Sequence, residues 1–127
     1  MLLDTHIFLW LQTEPERLGH HLATIEDERT QLFVSAASSW EIAIKYAIGR
    51  LALPDPPADY VPERIRAIGA RPIEVEHSHA LAVVDLPPLH RDPFDRLLVA
   101  QAAALGVPLI TADRAVDDYP IDTVLVG

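Results

Sequence analysis

Short apolar runs alternate with amphipathic segments along the whole chain. Five runs have the length of buried strands, and they are Met1–Leu3, Leu32–Val34, Pro72–Val75, Val107–Thr111 and Thr123–Val126. Strands of a parallel sheet are covered on both faces, so they occur in a sequence as continuous apolar runs. The alternation of such runs with helical segments predicts an α/β layer fold around a mainly parallel sheet.

A helix is predicted between Ser35 and Gly49, where the glycine provides a natural end. Its apolar positions repeat at intervals of three and four residues, at Ala37, Trp40, Ile44 and Ile48. This stripe is predicted to face the core. Glu41 lies on the same stripe, and an ionised carboxylate that faces a core is costly unless it is paired or bound to a cation. An ion pair with Lys45, one turn later, is the simpler of those two explanations.

A second helix is predicted over Pro93–Leu105. Asp92 is expected to cap it, Pro93 suits its first position, and Gly106 ends it. Further helices are predicted over Ile7–Gln12, Arg17–Asp27, Val61–Ile68 and His77–Val84, with Pro54–Pro57 as a surface connection.

The composition is that of one globular domain, residues 1–127. The chain has no cysteine, which excludes a disulfide framework, a thiolate zinc site and a cysteine nucleophile, and which fits a cytoplasmic location. No membrane helix is expected, because no apolar run approaches the roughly 18 residues that one needs. The net charge of −9 argues against binding of nucleic acid through a broad basic surface.

Acidic residues stand at positions that one pocket of an α/β fold could collect. Asp4 follows the first apolar run and Asp113 follows the fourth, and ligands of open parallel sheets bind beyond the carboxyl ends of the strands. Asp92 and Asp95 stand at a helix start, where negative charge is favoured without any function. Each acid, like Glu41, therefore has a structural explanation of its own. Their combination is what indicates an acidic pocket.

Four segments of the sequence carry a family resemblance. They are Leu3-Asp4-Thr5-His6, Ser35-Ala36-Ala37-Ser38-Ser39-Trp40-Glu41-Ile42-Ala43-Ile44-Lys45, Asp92-Pro93-Phe94-Asp95-Arg96-Leu97-Leu98-Val99-Ala100-Gln101-Ala102 and Thr111-Ala112-Asp113. They resemble the successive motifs of PIN-domain ribonucleases of the VapC type, which are toxins of type II toxin–antitoxin systems. The segments follow in the order and at the spacing of that family over essentially the whole chain, and this combination is specific.

The resemblance implies a three-layer α/β/α PIN-like fold with a central, mainly parallel sheet of four to five strands. It implies a metal-dependent endoribonuclease that hydrolyses RNA phosphodiester bonds with metal-activated water. Asp4, Glu41, Asp95 and Asp113 match the family's catalytic and metal-binding acids, and Asp95 is preferred over Asp92 as the third. Oxygen ligands suit Mg²⁺, with Mn²⁺ as a substitute. The implied partners are a cognate antitoxin, a structured RNA such as tRNA, and a second copy of the chain, with no membrane.

Two other functions are compatible with acids at a sheet edge. A phospho-acceptor signalling domain would need an acceptor Asp after the third strand, where the chain offers Glu76, and a lysine late in the chain, where it has none. A PIN-like binding module without activity is expected to have lost an acid. The histidines considered as an alternative metal centre, the pairs His20-His21 and His77/His79, do not have the spacing of a helical metal pair.

Overall fold

The computed structural model describes residues 1–127 and contains a five-stranded sheet. The strands are β1 (Leu2–Leu3), β2 (Phe33–Ser35), β3 (Arg71–Ile73), β4 (Leu109–Thr111) and β5 (Thr123–Leu125). All four pairings are parallel, and the strand order is β3-β2-β1-β4-β5. The prediction of a parallel sheet is confirmed, with strand ends that differ by one or two residues. Pro72 lies in β3. Because β3 is an edge strand, the sheet does not need the N–H that proline lacks.

Seven helices connect the strands. They are α1 (Thr5–Thr13), α2 (His21–Glu26), α3 (Ala36–Ala47), α4 (Pro57–Ala67), α5 (His77–Ala82), α6 (Pro93–Leu105) and α7 (Arg114–Asp117), with 3₁₀ turns at Pro15–Leu18 and Val83–Asp85. None of these helices is long and apolar enough to cross a membrane.

Two hydrophobic clusters cover the two faces of the sheet. Leu3 and Ile110 belong to one cluster, which also contains buried residues of α1 and α4. Leu2 and Leu109, their neighbours along the strands, belong to the other cluster, together with buried residues of α6. Because successive side chains of a strand point to opposite faces, this division gives three layers, and the predicted α/β/α architecture is confirmed.

Two predicted helices have different bounds in the structure. The prediction of one helix over Arg17–Asp27 is wrong, because Gly19 has a positive φ of 56° and separates a 3₁₀ turn from α2. Helix α4 begins at Pro57, four residues before its predicted start. A proline at the first helical position loses no hydrogen bond, so the proline-rich connection leads directly into the helix.

The buried face of α3 differs from the predicted one. Trp40 and Ile48 are 61% and 60% exposed, and Ile44 is exposed as well, so the prediction that this stripe faces the core is wrong for all three. Ala37 and Glu41 are buried as expected, but the other inward positions are occupied by Ser38 and Ile42, which lie outside the predicted stripe. Hydrophobicity alone could not identify this face, because two of its buried side chains are polar.

Candidate active site

Asp4 and Asp113 meet at the carboxyl end of the sheet. The strands that precede them, β1 and β4, are parallel neighbours, with Leu3 opposite Ile110. The Asp4 N–H continues the ladder by donating to the Ile110 carbonyl at 3.0 Å. Asp4 is also the N-cap of α1, and Asp113 is the N-cap of α7. The strand order, which the sequence did not reveal, therefore places both carboxylates at one sheet edge.

The Asp4 carboxylate is almost completely buried and held at both oxygens. Its Oδ1 accepts the Thr5 N–H at 2.7 Å, and its Oδ2 accepts the Thr111 hydroxyl at 2.7 Å. Burial raises the pKa of Asp4, and these two hydrogen bonds offset part of that increase. The side chain is thus fixed in place before any ligand arrives.

Glu41 is buried and only half satisfied. Its Oε2 accepts a hydrogen bond from Lys45 Nζ at 2.7 Å, so the expected ion pair is present. Its Oε1 is buried without a hydrogen-bond partner. A buried carboxylate oxygen that lacks a partner is costly, and a bound cation would remove that cost. The ion pair therefore accounts for one oxygen of Glu41 and leaves the other free.

Asp92 and Asp95 have different roles in the geometry. Asp92 Oδ1 accepts the N–H of Phe94 at 2.9 Å and that of Asp95 at 3.4 Å, as an N-cap does. The Asp95 side chain is 13% exposed. Burial raises the pKa of Asp95 to about 7, with further increases from the charges of Asp4 and Asp92. Without a cation, the Asp95 carboxyl therefore holds its proton to a higher pH than an ordinary aspartate does.

Asp113 lies farther out and contacts a histidine that sequence reasoning missed. Asp113 Oδ1 accepts the Ala115 N–H at 2.9 Å, and its Oδ2 lies 2.9 Å from His90 Nε2. The same nitrogen lies 3.0 Å from Asp95 Oδ2. Burial raises the pKa of Asp113, but the hydrogen bonds from His90 and Ala115 outweigh burial and leave that pKa lowered. The hydrogen bond with Asp113 raises the pKa of His90.

All four acids that the sequence singled out line one pocket of about 330 Å³. The other charged or titratable residues of this pocket are His6, Lys45, His90 and Asp92. Five carboxylates thus share the pocket with one lysine and two histidines. Carboxylate oxygens are the ligands of hard divalent cations, and the buried Glu41 Oε1 has no hydrogen-bond partner within the chain. The residues present therefore fit Mg²⁺ or Mn²⁺.

A cavity larger than the acidic pocket lies elsewhere on the molecule. A groove of about 620 Å³ lies between α3, α4 and β3, and most of its wall is apolar. Its charged residues are Arg66 and Glu74. The groove has none of the convergent acids, so the smaller pocket is the better candidate for chemistry.

The polar residues around the pocket differ in what they bond. The Thr111 hydroxyl bonds the Asp4 carboxylate, whereas the hydroxyls of Thr5 and Ser38 bond each other at 2.9 Å. The Arg96 guanidinium donates to the Pro87 carbonyl and to the Tyr119 hydroxyl. His90 lies in an irregular segment, and its only sequence signal is its position two residues before the Asp92 cap.

The chain also matches a known protein family. The profile of the PIN domain matches residues 1–121. The chain belongs to the PIN-domain family. This membership confirms the resemblance carried by the four motifs, which lie at the ends of β1 and β4 and along α3 and α6.

Two curated proteins of Mycobacterium tuberculosis are similar to this PIN domain. Ribonuclease VapC22 is 33% identical over 118 residues, which cover 90% of this chain and 87% of that protein. Ribonuclease VapC16 is 49% identical over 57 residues, which cover 45% of this chain and only 40% of that protein. Among solved structures, the toxin–antitoxin complex from Klebsiella pneumoniae contains a chain that matches with a TM-score of 0.68 at 17% identity, covering 97% of this chain and 94% of that one. The structural likeness supports the fold.

Proposed function

We propose that this protein is a metal-dependent endoribonuclease that hydrolyses RNA phosphodiester bonds and is neutralised by a cognate antitoxin. The observation that carries the proposal is the unmet charge of the pocket. Glu41 Oε1 is buried without a partner, and burial with neighbouring acids raises the pKa of Asp95 to about 7. A pocket of this kind is suited to a divalent cation and, once the cation is bound, to a phosphate.

Asp4, Glu41, Asp95 and Asp113 are the residues that would hold Mg²⁺ or Mn²⁺. Asp4 and Asp95 are the firmest candidates for direct ligands, while Glu41 and Asp113 act directly or through water; all four line the pocket. The chemistry that a bound divalent cation supplies is activation of a water molecule and stabilisation of negative charge on the phosphate and the leaving oxygen. No side-chain nucleophile is required for such a hydrolysis.

Other residues of the chain orient the acids and provide positive charge beside the pocket. Thr111 and the Thr5 N–H fix the orientation of Asp4, and Lys45 fixes Glu41 Oε2 so that Oε1 remains available. Lys45 and Arg91 also line a cleft that adjoins the pocket beside Phe94. We infer that these two cations contact the RNA backbone next to the scissile bond, since the net charge of −9 offers no broad basic surface.

The relatives suggest the partners. Both curated relatives are named ribonucleases, and the structure from Klebsiella pneumoniae is described as a toxin–antitoxin complex. We infer that residues 1–127 act as one PIN-like domain, that the chain forms a homodimer, and that its RNA is a structured one such as tRNA.

The proposal is tested by RNA cleavage with the purified full chain, free of any partner. Cleavage is expected with Mg²⁺ or Mn²⁺, and it should stop when a chelator is added. Asp4→Asn should abolish it, while Asp118→Asn, an exposed acid at the end of α7, should leave it unchanged. Equal cleavage in chelator, or an active Asp4→Asn protein, would contradict the proposal.

A further inference from the structure

His90 lies between two acids of the pocket and is itself held from three directions. Its Nε2 lies 2.9 Å from Asp113 Oδ2 and 3.0 Å from Asp95 Oδ2. Its main-chain N–H donates to the Tyr119 hydroxyl at 3.0 Å, and its Nδ1 accepts the Asp92 N–H at 3.2 Å. The histidine is therefore bound at its main chain and at both ring nitrogens.

The segment that carries His90 is anchored by a buried network. Tyr119 is 3% exposed, and its hydroxyl also accepts a hydrogen bond from Arg96 Nη1 at 3.1 Å. Arg96 further donates to the carbonyls of Pro87 at 2.9 Å and Val83 at 3.1 Å. Arg96, near the start of α6, and Tyr119, just after α7, thus both bond the segment that precedes α6. This network fixes the position of the imidazole relative to Asp95 and Asp113.

The hydrogen-bond network also assigns the imidazole tautomer. The Asp92 N–H can only donate, so Nδ1 uses its lone pair as an acceptor and the ring hydrogen resides on Nε2. Nε2–H is therefore a donor that faces the Oδ2 atoms of Asp95 and Asp113. A nitrogen in this state cannot serve as a metal ligand. It can hold two carboxylates close together that would otherwise repel each other.

We propose that His90 is a positioning residue of the active site, whose Nε2–H holds the Oδ2 atoms of Asp95 and Asp113 toward a shared cation. The inference rests on the proposed function. Asp113 needs such a restraint most, because its side chain is 42% exposed. A carboxylate oxygen has two lone pairs, so an oxygen that accepts the His90 hydrogen keeps a second one for a metal.

The test is Mn²⁺ binding by the full chain, measured by titration calorimetry on four proteins. They are the wild type, His90→Ala, His90→Gln and the control His77→Ala, which removes an exposed imidazole at the start of α5, outside the pocket. Outer-sphere partners of metal ligands typically contribute about 10- to 100-fold in affinity, and His90→Ala is expected to lose binding in that range. His77→Ala should bind like the wild type.

His90→Gln separates the positioning role from direct ligation. A glutamine amide can donate an N–H from near the position of Nε2, so the proposal predicts that this variant recovers most of the affinity lost in His90→Ala. Electron spin echo spectra of the bound Mn²⁺ should show no coupling to an imidazole nitrogen. A nitrogen coupling that disappears in both variants, with no rescue by glutamine, would overturn the proposal in favour of ligation.

Tyr119→Phe provides a second variant that leaves the imidazole in place. Removing the hydroxyl deprives the His90 N–H and Arg96 of their shared partner, so a smaller loss of Mn²⁺ affinity in the same direction is expected. Wild-type affinity in a folded His90→Ala protein overturns the positioning role while the proposed function stands. A wild-type chain that binds no Mn²⁺ overturns both.

Discussion

Two concavities on opposite faces of α3 differ in every property that matters for function. The apolar groove of about 620 Å³ contains Ala36, Ser39 and Ala43 of this helix. The acidic pocket of about 330 Å³ contains Glu41 and Lys45. The groove is larger, but its two charged residues, Arg66 and Glu74, are exposed to solvent. The pocket holds five carboxylates and leaves one buried oxygen without a partner. The buried carboxylate oxygen without a partner, rather than cavity volume, therefore indicates which concavity is the candidate active site.

The contrast between pocket and groove is tested most strongly by replacing one acid of the pocket at a time and measuring RNA cleavage. This test has the largest expected effect. Asp95→Asn should reduce metal-dependent cleavage by more than about 100-fold, the upper figure for outer-sphere partners, because it removes a proposed direct ligand. Asp92→Asn is the matched control, since asparagine caps a helix as well as aspartate does. It should retain cleavage and Mn²⁺ binding. Loss of both in Asp92→Asn, with activity intact in Asp95→Asn, would reverse the assignment of the third acid.

The free oxygen of Glu41 gives the next largest effect, on thermal stability. A ligand that binds only the folded state at about 100 times its Kd adds about 2.7 kcal/mol, or roughly 10 °C in Tm for a chain of this size. Glu41→Gln removes a buried, half-satisfied charge, so its Tm in chelator should be at or above that of the wild type. The increase in the Tm of Glu41→Gln on addition of Mn²⁺ should be much smaller than that of the wild type. A full Mn²⁺ gain in Glu41→Gln would show that this oxygen is not part of the site.

The pocket should also make the stability of the metal-free protein fall as pH rises. Burial raises the pKa of Asp95 to about 7, so the folded state keeps a proton that the unfolded state releases near pH 4, and stability decreases across that interval. The raised pKa values of Asp4 and His90 act in the same direction, whereas the lowered pKa of Asp113 matters only below about pH 4. The Tm in chelator should drop between pH 5 and pH 8, less so in Asp95→Asn. A wild-type Tm that does not change over this pH range would contradict the claim that the acids of the pocket lack partners in the metal-free protein.

The sequence predicted the parts of this site that depend on local pattern. Asp4 and Asp113 follow apolar runs, and a parallel sheet brings such positions to one edge. The inward direction of Glu41 was predictable, but that of Ser38 was not, because its buried hydroxyl bonds the hydroxyl of Thr5 in another helix. His90 could not be found either. The role of His90 depends on a three-dimensional hydrogen-bond network. The sequence around it has no regular spacing of apolar residues.

The smallest effect is expected from the groove. Ala43 is exposed there, and Ala43→Gln should change neither RNA cleavage nor Mn²⁺ affinity by more than about twofold, as is usual for a surface substitution. Cleavage assays with saturating Mn²⁺ would measure this directly. A large loss of activity would mean that the groove takes part in the reaction, and the contrast between the two concavities would no longer hold.

The most direct test of the central claim is a titration of Mn²⁺ into the full chain, with unbound Mn²⁺ measured by electron paramagnetic resonance. The account predicts saturable binding in the wild type and in Asp118→Asn, and its loss in Asp4→Asn, while circular dichroism shows all three to be folded. Wild-type protein that leaves Mn²⁺ free, or an Asp4→Asn variant that binds it equally well, would contradict the claim that the acidic pocket is completed by a divalent cation.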